Sequence, residues 1–300
     1  MNTEYSTLKE IGVYHNLIKN KLDEFIRPNI KLIDIVQFIE TEIKYLGLNT
    51  INSGIAFPVG VNVNNIVAHD TCFPNDKRIL KKDDIIKVDF GIHKDGYIID
   101  SAKTFYFDNK YSNIVNASID ATHSAIKMMR PDQILGEVGT TIQEIIESYG
   151  LKSIGYLSGH QIKQYNIHGG KAVPNINFNY NERVCVDEVY AVETYPSTYG
   201  NVRLDHSMDK TSHFKLEEMN SRRLDKKTKR FYDNIYERFK TLPFGIRDIH
   251  YLPKYKYCLK QLKTNNLVQY YPTIYEPEGH YSAQTEETIY VSENSTQILS

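Results

Sequence analysis

The chain has no tryptophan and only three cysteines, Cys72, Cys185 and Cys258. An odd number, widely spaced and without a CxxC pair, argues against a disulfide framework or a thiolate zinc finger. Three free thiols in a reducing compartment are expected. Charge of one sign is missing too: 36 Lys and Arg face 37 Asp and Glu, so the formal net charge is −1. That excludes global attraction to nucleic acid or membrane and leaves room only for local patches. No apolar run approaches the ~18 residues that span a bilayer. The opening stretch, MNTEYSTLKEIGVYHN, lacks the basic start and apolar core of a signal peptide. Internal repeats and low-complexity tracts are absent as well. The cytoplasm is the expected location, with no membrane partner.

What is present suffices for one large domain, or for a core with an inserted subdomain: 300 residues, 41% of them hydrophobic. Leu8, Ile11, Tyr14, Leu17, Ile18, Leu22 and Phe25 recur at helical spacing, which predicts an amphipathic opening helix broken at Pro28. A second helix is expected over about Lys31 to Leu46. The Gly- and Asn-rich stretch NTINSGIAFPVGVNVNNIVAHD reads as strands and tight turns. A long helical region is expected from about Ile114 to Tyr149, then a strand-rich section to about Gly200. This order supports a mixed α+β class.

One phrase, IIKVDFGIHKDGYIIDSA, carries chemistry in its pattern. Ile86, Val88, Phe90 and Ile92 alternate with Lys87, Asp89 and Gly91, the period of a half-buried strand. Lys94-Asp95-Gly96 supplies a turn, and strand-forming residues resume from Tyr97 to Tyr106. With Lys94 and Asp95 at the tip, Asp89 lies directly opposite Asp100. With Asp95 and Gly96 at the tip, both aspartates still share one face. Two facing carboxylates repel unless a cation or a proton lies between them.

Residues 203–268 change character. RRLDKKTKRFYDNIYERFK and KYKYCLKQLK are rich in Lys and Arg, and Phe231, Ile235, Tyr236 and Phe239 mark a helical face. A compact, mainly helical insert is expected there, between a core formed by 1–202 and 269–300. Its basic face would be a solvated helix surface or a contact for ribosomal RNA or another anionic partner.

Five phrases, GIAFPVGVNVNNIVAHD, VDFGIHKDGYIID, GHQIKQYNIHGGK, AVETYPST and SAQTEETI, match family phrases in order. On these the chain resembles the methionine aminopeptidases of the type 2 subclass over nearly its whole length. The insert before Glu286 and the tail ending soon after it fit that subclass. A charged N-terminal extension, common in eukaryotic members, is missing. The resemblance implies the pita-bread fold, with a winged-helix-like insert, and a monomer. It implies removal of the N-terminal initiator methionine from nascent proteins, by attack of a water or hydroxide bridging two metals.

Carried over residue by residue, the family pattern makes Asp89, Asp100, His160, Glu193 and Glu286 the ligands of two divalent cations. Four carboxylates and one imidazole suit Mn, Fe, Co or Zn. Asp100 and Glu286 would bridge both metals, and Glu193 would also shuttle a proton. His168 would hydrogen-bond the scissile carbonyl, and His69 would contact the peptide beyond the bond or assist the leaving amine. Phe57, Ile167, His213 and Tyr271 would form the methionine pocket. His15, His93, His123 and His250 are expected to be structural or surface residues, and Cys72 incidental.

Two departures accompany the match. Asp70-Thr71-Cys72-Phe73 intervenes between His69 and Pro74-Asn75, where the family runs quickly into Pro-Asn, and the segment from Glu193 to His213 is slightly longer. None of the five ligands is altered. Two other functions compete: a catalytically inactive pita-bread scaffold binding the ribosome or RNA, and an X-Pro peptidase relative. The latter generally carries a large extra N-terminal domain, for which there is no room before Asp89.

Overall fold

The computed structural model describes residues 3–207, 210–218 and 224–300. Helix α1 (Thr3–Phe25) buries Leu8, Ile11, Ile18 and Leu22 along one stripe, and the chain leaves the helix ahead of Pro28. Helix α2 (Leu32–Tyr45) buries Leu32, Ile35, Val36, Ile39 and Ile43, again at helical spacing. Short strands β1 (Ser53–Ile55), β2 (Gly60–Val63) and β3 (Ile66–Ala68) lead into a hairpin of β4 (Ile85–Lys94) and β5 (Tyr97–Tyr106). Asp95 and Gly96 form its tip at φ 53° and 80°, the left-handed conformation that a two-residue hairpin turn needs. The second of the two registers is therefore the real one. Asp89 pairs with Ala102 and Asp100 with Gly91, with both aspartates on one face.

The expected helical region is two helices, α3 (Ser112–Met128) and α4 (Leu135–Ser148). Pro131 explains the break, because it has no N–H to donate and disfavours helical backbone at Arg130. Asp132 then turns at φ 68°.

The strands that follow are β6 (Lys152–Ser153), β7 (Ser158–Ile162), β8 (Ala172–Pro174), β9 (Glu188–Thr194), β10 (Pro196–Ser197) and β11 (Arg203–Asp205). Next come β12 (His213–Leu216), α5 (Lys226–Phe239), β13 (Phe244–Gly245), α6 (Ile246–Ile249), α7 (Tyr255–Thr264) and β14 (Val268–Tyr271). Strands β15 (Thr273–Tyr275), β16 (Thr285–Val291) and β17 (Thr296–Ile298) complete the chain.

A nine-stranded antiparallel sheet in the order β1-β4-β5-β16-β9-β7-β8 is the frame, with β2 on β4 and β17 on β16. The α1–α2 and α3–α4 pairs cover one face of it. His15 of α1 contacts the Phe90 carbonyl at 2.8 Å and stacks on its ring. Thr122 of α3 meets Thr194 at 2.9 Å. Phe90 and Thr194 point away from Asp89 and Glu193, so the helices seal the back and leave the acidic face free.

Helices α5 and α7 pack on a three-stranded sheet, β13-β12-β14, around Phe214, Phe231, Ile235, Phe244, Leu259 and Leu262. The basic face read from the sequence is carried by exposed Lys226, Lys227, Lys229, Lys254, Lys256 and Lys260. Arg222 and Arg223 lie outside the described residues. A smaller sheet, β11-β15-β3, joins this region to the frame.

At Gly96 an added Cβ would lie 2.2 Å from the Tyr165 ring, on a backbone at φ +80°. Gly96→Ala is expected to destabilise the fold by about 2 kcal/mol, read from urea unfolding. Unchanged stability would show that the hairpin tip is not gripped by the Tyr165 loop.

Candidate active site

The sheet register assembles the acidic cluster. Asp89 on β4 pairs with Ala102 on β5, Ala102 with Glu286 on β16, and Glu286 with Glu193 on β9. These four residues form one row across four strands. The adjacent row holds Gly91 opposite Asp100, and Ala191 opposite both His160 and Thr288. Side chains in one row of an antiparallel sheet stand about 5 Å apart. At Gly91 an added Cβ would lie 2.4 Å from the Phe57 ring, so the missing side chain makes room for that ring beside the cluster.

Ligand-capable atoms of Asp100, His160 and Glu286 lie within 4.8 Å of one another. His160 Nε2 is 3.6 Å from Asp100 Oδ2 and 3.8 Å from Glu193 Oε1. Burial makes the free charges costly and sets the proton affinities. Desolvation pushes Asp89 up to about 7, and Glu193 up to about 8 with help from the Asp89 charge. Asp100 and Glu286 go well above the carboxylate range, through burial first and neighbouring carboxylates second. Burial pulls His160 the other way, to about 4, so its imidazole is neutral and able to bind a metal.

Two residues inside the quoted phrases complete the cluster, and the sequence reading passed over both. Gln284 Nε2 is 3.2 Å from Asp89 Oδ2, 3.2 Å from Glu193 Oε2 and 3.4 Å from Glu286 Oε2. It also donates to the Tyr195 hydroxyl at 2.9 Å, and that hydroxyl donates to Glu193. The amide thereby stands behind one oxygen of each of three carboxylates, with two hydrogens to share among them and the Tyr195 hydroxyl. Among the described residues, buried Asp89 Oδ1 and Asp100 Oδ1 find no hydrogen-bond partner. Orphaned, desolvated carboxylate oxygens beside a neutral imidazole are the donor set that a divalent cation would satisfy. The signal for Gln284 and Tyr195 was their spacing: each lies two residues from a cluster member, hence on the same strand face.

The cluster floors a cavity of about 360 Å³, within the range of small-ligand sites. Phe57, His69, Ile167, His168, His213 and Tyr271 all line it, with all five acidic-cluster residues. Every site residue named from the sequence is thus brought to one cavity.

The histidines differ in what they offer. His69 Nδ1 lies 3.3 Å from the Pro272 carbonyl, which can only accept. Its proton therefore sits on Nδ1, and Nε2 keeps a lone pair; burial holds the ring neutral, near 4. His213 spends both nitrogens, Nε2 on the Pro58 carbonyl at 3.2 Å and Nδ1 on Ser212 at 2.8 Å. It presents ring surface and acts as an apolar wall. His168 meets His160 edge to face at 4.7 Å, and its Nδ1 is 3.5 Å from the Tyr271 hydroxyl. Although exposed to the cavity, His168 is held well below its ordinary value, by desolvation and then by His160, His69 and Lys215.

Comparison with known proteins gives one coherent answer. Residues 7–212 match metallopeptidase family M24. Methionine aminopeptidase 2 of Komagataella phaffii is 34% identical over 316 aligned residues, covering 100% of this chain and 70% of that protein. Its counterpart in Dictyostelium discoideum is 33% identical, covering 99% and 70%. Among solved structures, a thermophilic Arx1 superposes with a TM-score of 0.88 at 14% identity, covering 100% of this chain and 91% of that one. A methionine aminopeptidase from Thermotoga maritima gives a TM-score of 0.70 at 20% identity, covering 100% and 97%. These structural likenesses identify the pita-bread fold. The chain belongs to metallopeptidase family M24, and within it to the methionine aminopeptidases.

Proposed function

We propose that this protein is a type 2 methionine aminopeptidase that removes the initiator methionine from nascent chains in the cytoplasm. The single observation that carries it is the row Asp89–Ala102–Glu286–Glu193 with Asp100 and His160 beside it, buried under a cavity of peptide-end size. Full-length identity to proteins named methionine aminopeptidase 2 supports the subclass. So does the segment 203–268, which we take as an insert subdomain between 1–202 and 269–300.

In this reading Asp89, Asp100, His160, Glu193 and Glu286 hold two divalent cations, drawn from Mn, Fe, Co and Zn. Their contribution is to make a water nucleophilic near neutral pH and to anchor the free α-amino group of a substrate. The protein's own groups supply the rest. Glu193, with Tyr195 donating to it, takes and returns a proton at its carboxylate oxygens. His168 donates to the scissile carbonyl as negative charge grows there. His69 uses its Nε2 lone pair to accept from the amide N–H on the leaving side. Phe57, Ile167, Tyr271 and the ring surface of His213 receive the methionine side chain, whose thioether suits aromatic walls. The basic face of α5 and α7 is a candidate contact for the ribosome, and Lys226, Lys227 and Lys254 offer exposed positive charge for it.

Free methionine should be released from Met-Ala-Ser by protein stripped with chelator and reloaded with Mn²⁺ or Co²⁺. Glu286→Ala should lose at least ~100-fold, because it would remove one of the residues that hold the metal. Hydrolysis of X-Pro peptides in preference would replace this reading with the prolidase one. Metal binding without hydrolysis of either class, together with saturable RNA binding, would favour the scaffold.

Metal binding should also depend on pH in a defined direction. Asp89 and Glu193 keep protons in the metal-free fold up to about 7 and 8, where the unfolded chain has lost them. A cation must displace those protons, so the Tm gain on adding Mn²⁺ should grow from pH 6 to pH 8. His160 is neutral across that window and adds nothing to the trend. A Tm gain that is flat or falls with pH would place the metal elsewhere. Gln284→Leu should weaken Mn²⁺ binding by about 10- to 100-fold in calorimetry while the fold persists. Unchanged affinity would mean that the amide does not orient the ligands.

A further inference from the structure

His69 has left-handed backbone, with φ at 64°, a conformation uncommon for residues other than glycine. Such a residue persists where its surroundings over-determine it, and the unusual segment after it does so. The His69 carbonyl accepts from Thr273 Oγ1 at 3.3 Å, and Ser212 Oγ, whose proton goes to His213 Nδ1, lies 3.2 Å from it. The Asp70 N–H donates to Asn62 Oδ1 at 2.9 Å, and the Asp70 carbonyl accepts from the Val61 N–H at 2.9 Å.

Beyond the backbone, Arg78 ties the segment together. Its Nη1 pairs with Asp70 Oδ2 at 2.5 Å, its Nη2 donates to the Thr71 carbonyl at 3.1 Å, and Asp76 accepts from Nη2 at 2.7 Å and Nε at 2.9 Å. Asp70 is only 6% exposed, so its carboxylate has little water to fall back on. The Arg78 backbone is anchored in turn, its carbonyl accepting from the Leu32 N–H at 3.0 Å at the start of α2. On the other side Phe73 packs against the insert's core, bordering a cavity of about 130 Å³ with Phe214, Ile246, Tyr255 and Leu259. The insert is itself braced on α2 by a bidentate Arg247–Glu40 pair, at 2.8 and 3.0 Å.

We propose that Asp70–Arg78 and Phe73 form a two-ended clamp that sets the position of His69, with Arg78 and Phe73 acting as positioning residues. The four residues that separate His69 from Pro74-Asn75 are the means: they carry Asp70 to Arg78 and Phe73 to the insert. Arg78 suits the role because its planar fork serves Asp70, Thr71 and Asp76 at once, which a lysine ammonium cannot do with the same geometry. The clamp makes His69 sensitive to how the insert sits on the frame.

The inference rests on His69 acting on a methionyl peptide, so its test has one arm that does not need activity. In Mn²⁺-loaded protein, Arg78→Ala should lower kcat for Met-Ala-Ser by about ten- to a hundredfold with KM within about twofold, as expected for a displaced catalytic group. Arg78→Lys and Phe73→Ala should fall between it and the wild type. In a His69→Ala background the same Arg78 substitution should cost no more than about twofold further, because coupled residues are not additive. In protein labelled with ¹³C-histidine, the His69 Cε1–H resonance should move in Arg78→Lys and Phe73→Ala while those of His123 and His250 stay in place. Full additivity with His69→Ala, or an unmoved His69 resonance in both variants, would overturn the clamp. Should Arg78→Ala fail to fold, Arg78→Lys and Phe73→Ala decide by the same two readouts. If the wild type releases no methionine, the functional reading fails and the resonance arm still judges the clamp.

Discussion

Four carboxylates share one desolvated patch of a sheet, and their mutual repulsion is the constraint around which the molecule is arranged. Each would ionise readily in water, yet burial raises all four, and neighbouring carboxylates add to it at Asp100, Glu193 and Glu286. A fold tolerates such a patch only if something compensates it, and the compensation visible in the protein is partial. Gln284 and Tyr195 hold one side of Asp89, Glu193 and Glu286. The opposite side, with Asp89 Oδ1 and Asp100 Oδ1 unpartnered, is left for positive charge. Stability is traded locally for a patch whose unpartnered oxygens a cation would satisfy.

The remaining architecture keeps that patch dry, rigid and reachable from one direction. Two helix pairs close the back of the sheet through contacts such as His15–Phe90 and Thr122–Thr194. Over the front, paired strands β12 and β14 bring His213 opposite Tyr271, and the β3–β15 pairing sets His69 beside Pro272. The walls come from elements far apart in sequence, and His69 and His213 each receive their tautomer from a fixed carbonyl. A neutral imidazole with a known free nitrogen is a different reagent from a solvated one, and this packing is what makes the difference.

Much of this was legible beforehand. Alternation in IIKVDFGIHK gave the strand and the shared face of the two aspartates, since side-chain direction follows from a period of two. The apolar spacing in the first 46 residues gave both opening helices. Two features needed the structure. Pro131 splits the expected helix from 114 to 149, a break that the surrounding apolar spacing concealed. The hairpin register turned on whether Lys94 or Gly96 joined Asp95 at the tip, and the left-handed backbone at Asp95 and Gly96 settled it. Gln284 and Tyr195 were in view and passed over, because an amide or a phenol carries no mark of its partner until the strands are paired.

The sequence by itself determined the chemical inventory: which side chains can ligate, donate or line a pocket, and on which face of its own strand each lies. Local periodicity and residue chemistry suffice for that, because both act within a few residues. Only the tertiary structure decided that Asp89, Ala102, Glu286 and Glu193 fall in one row, and that His69 is held by contacts reaching from Val61 to Thr273. Strand order and register join residues nearly 200 positions apart, and no local property of the chain encodes which strands will meet.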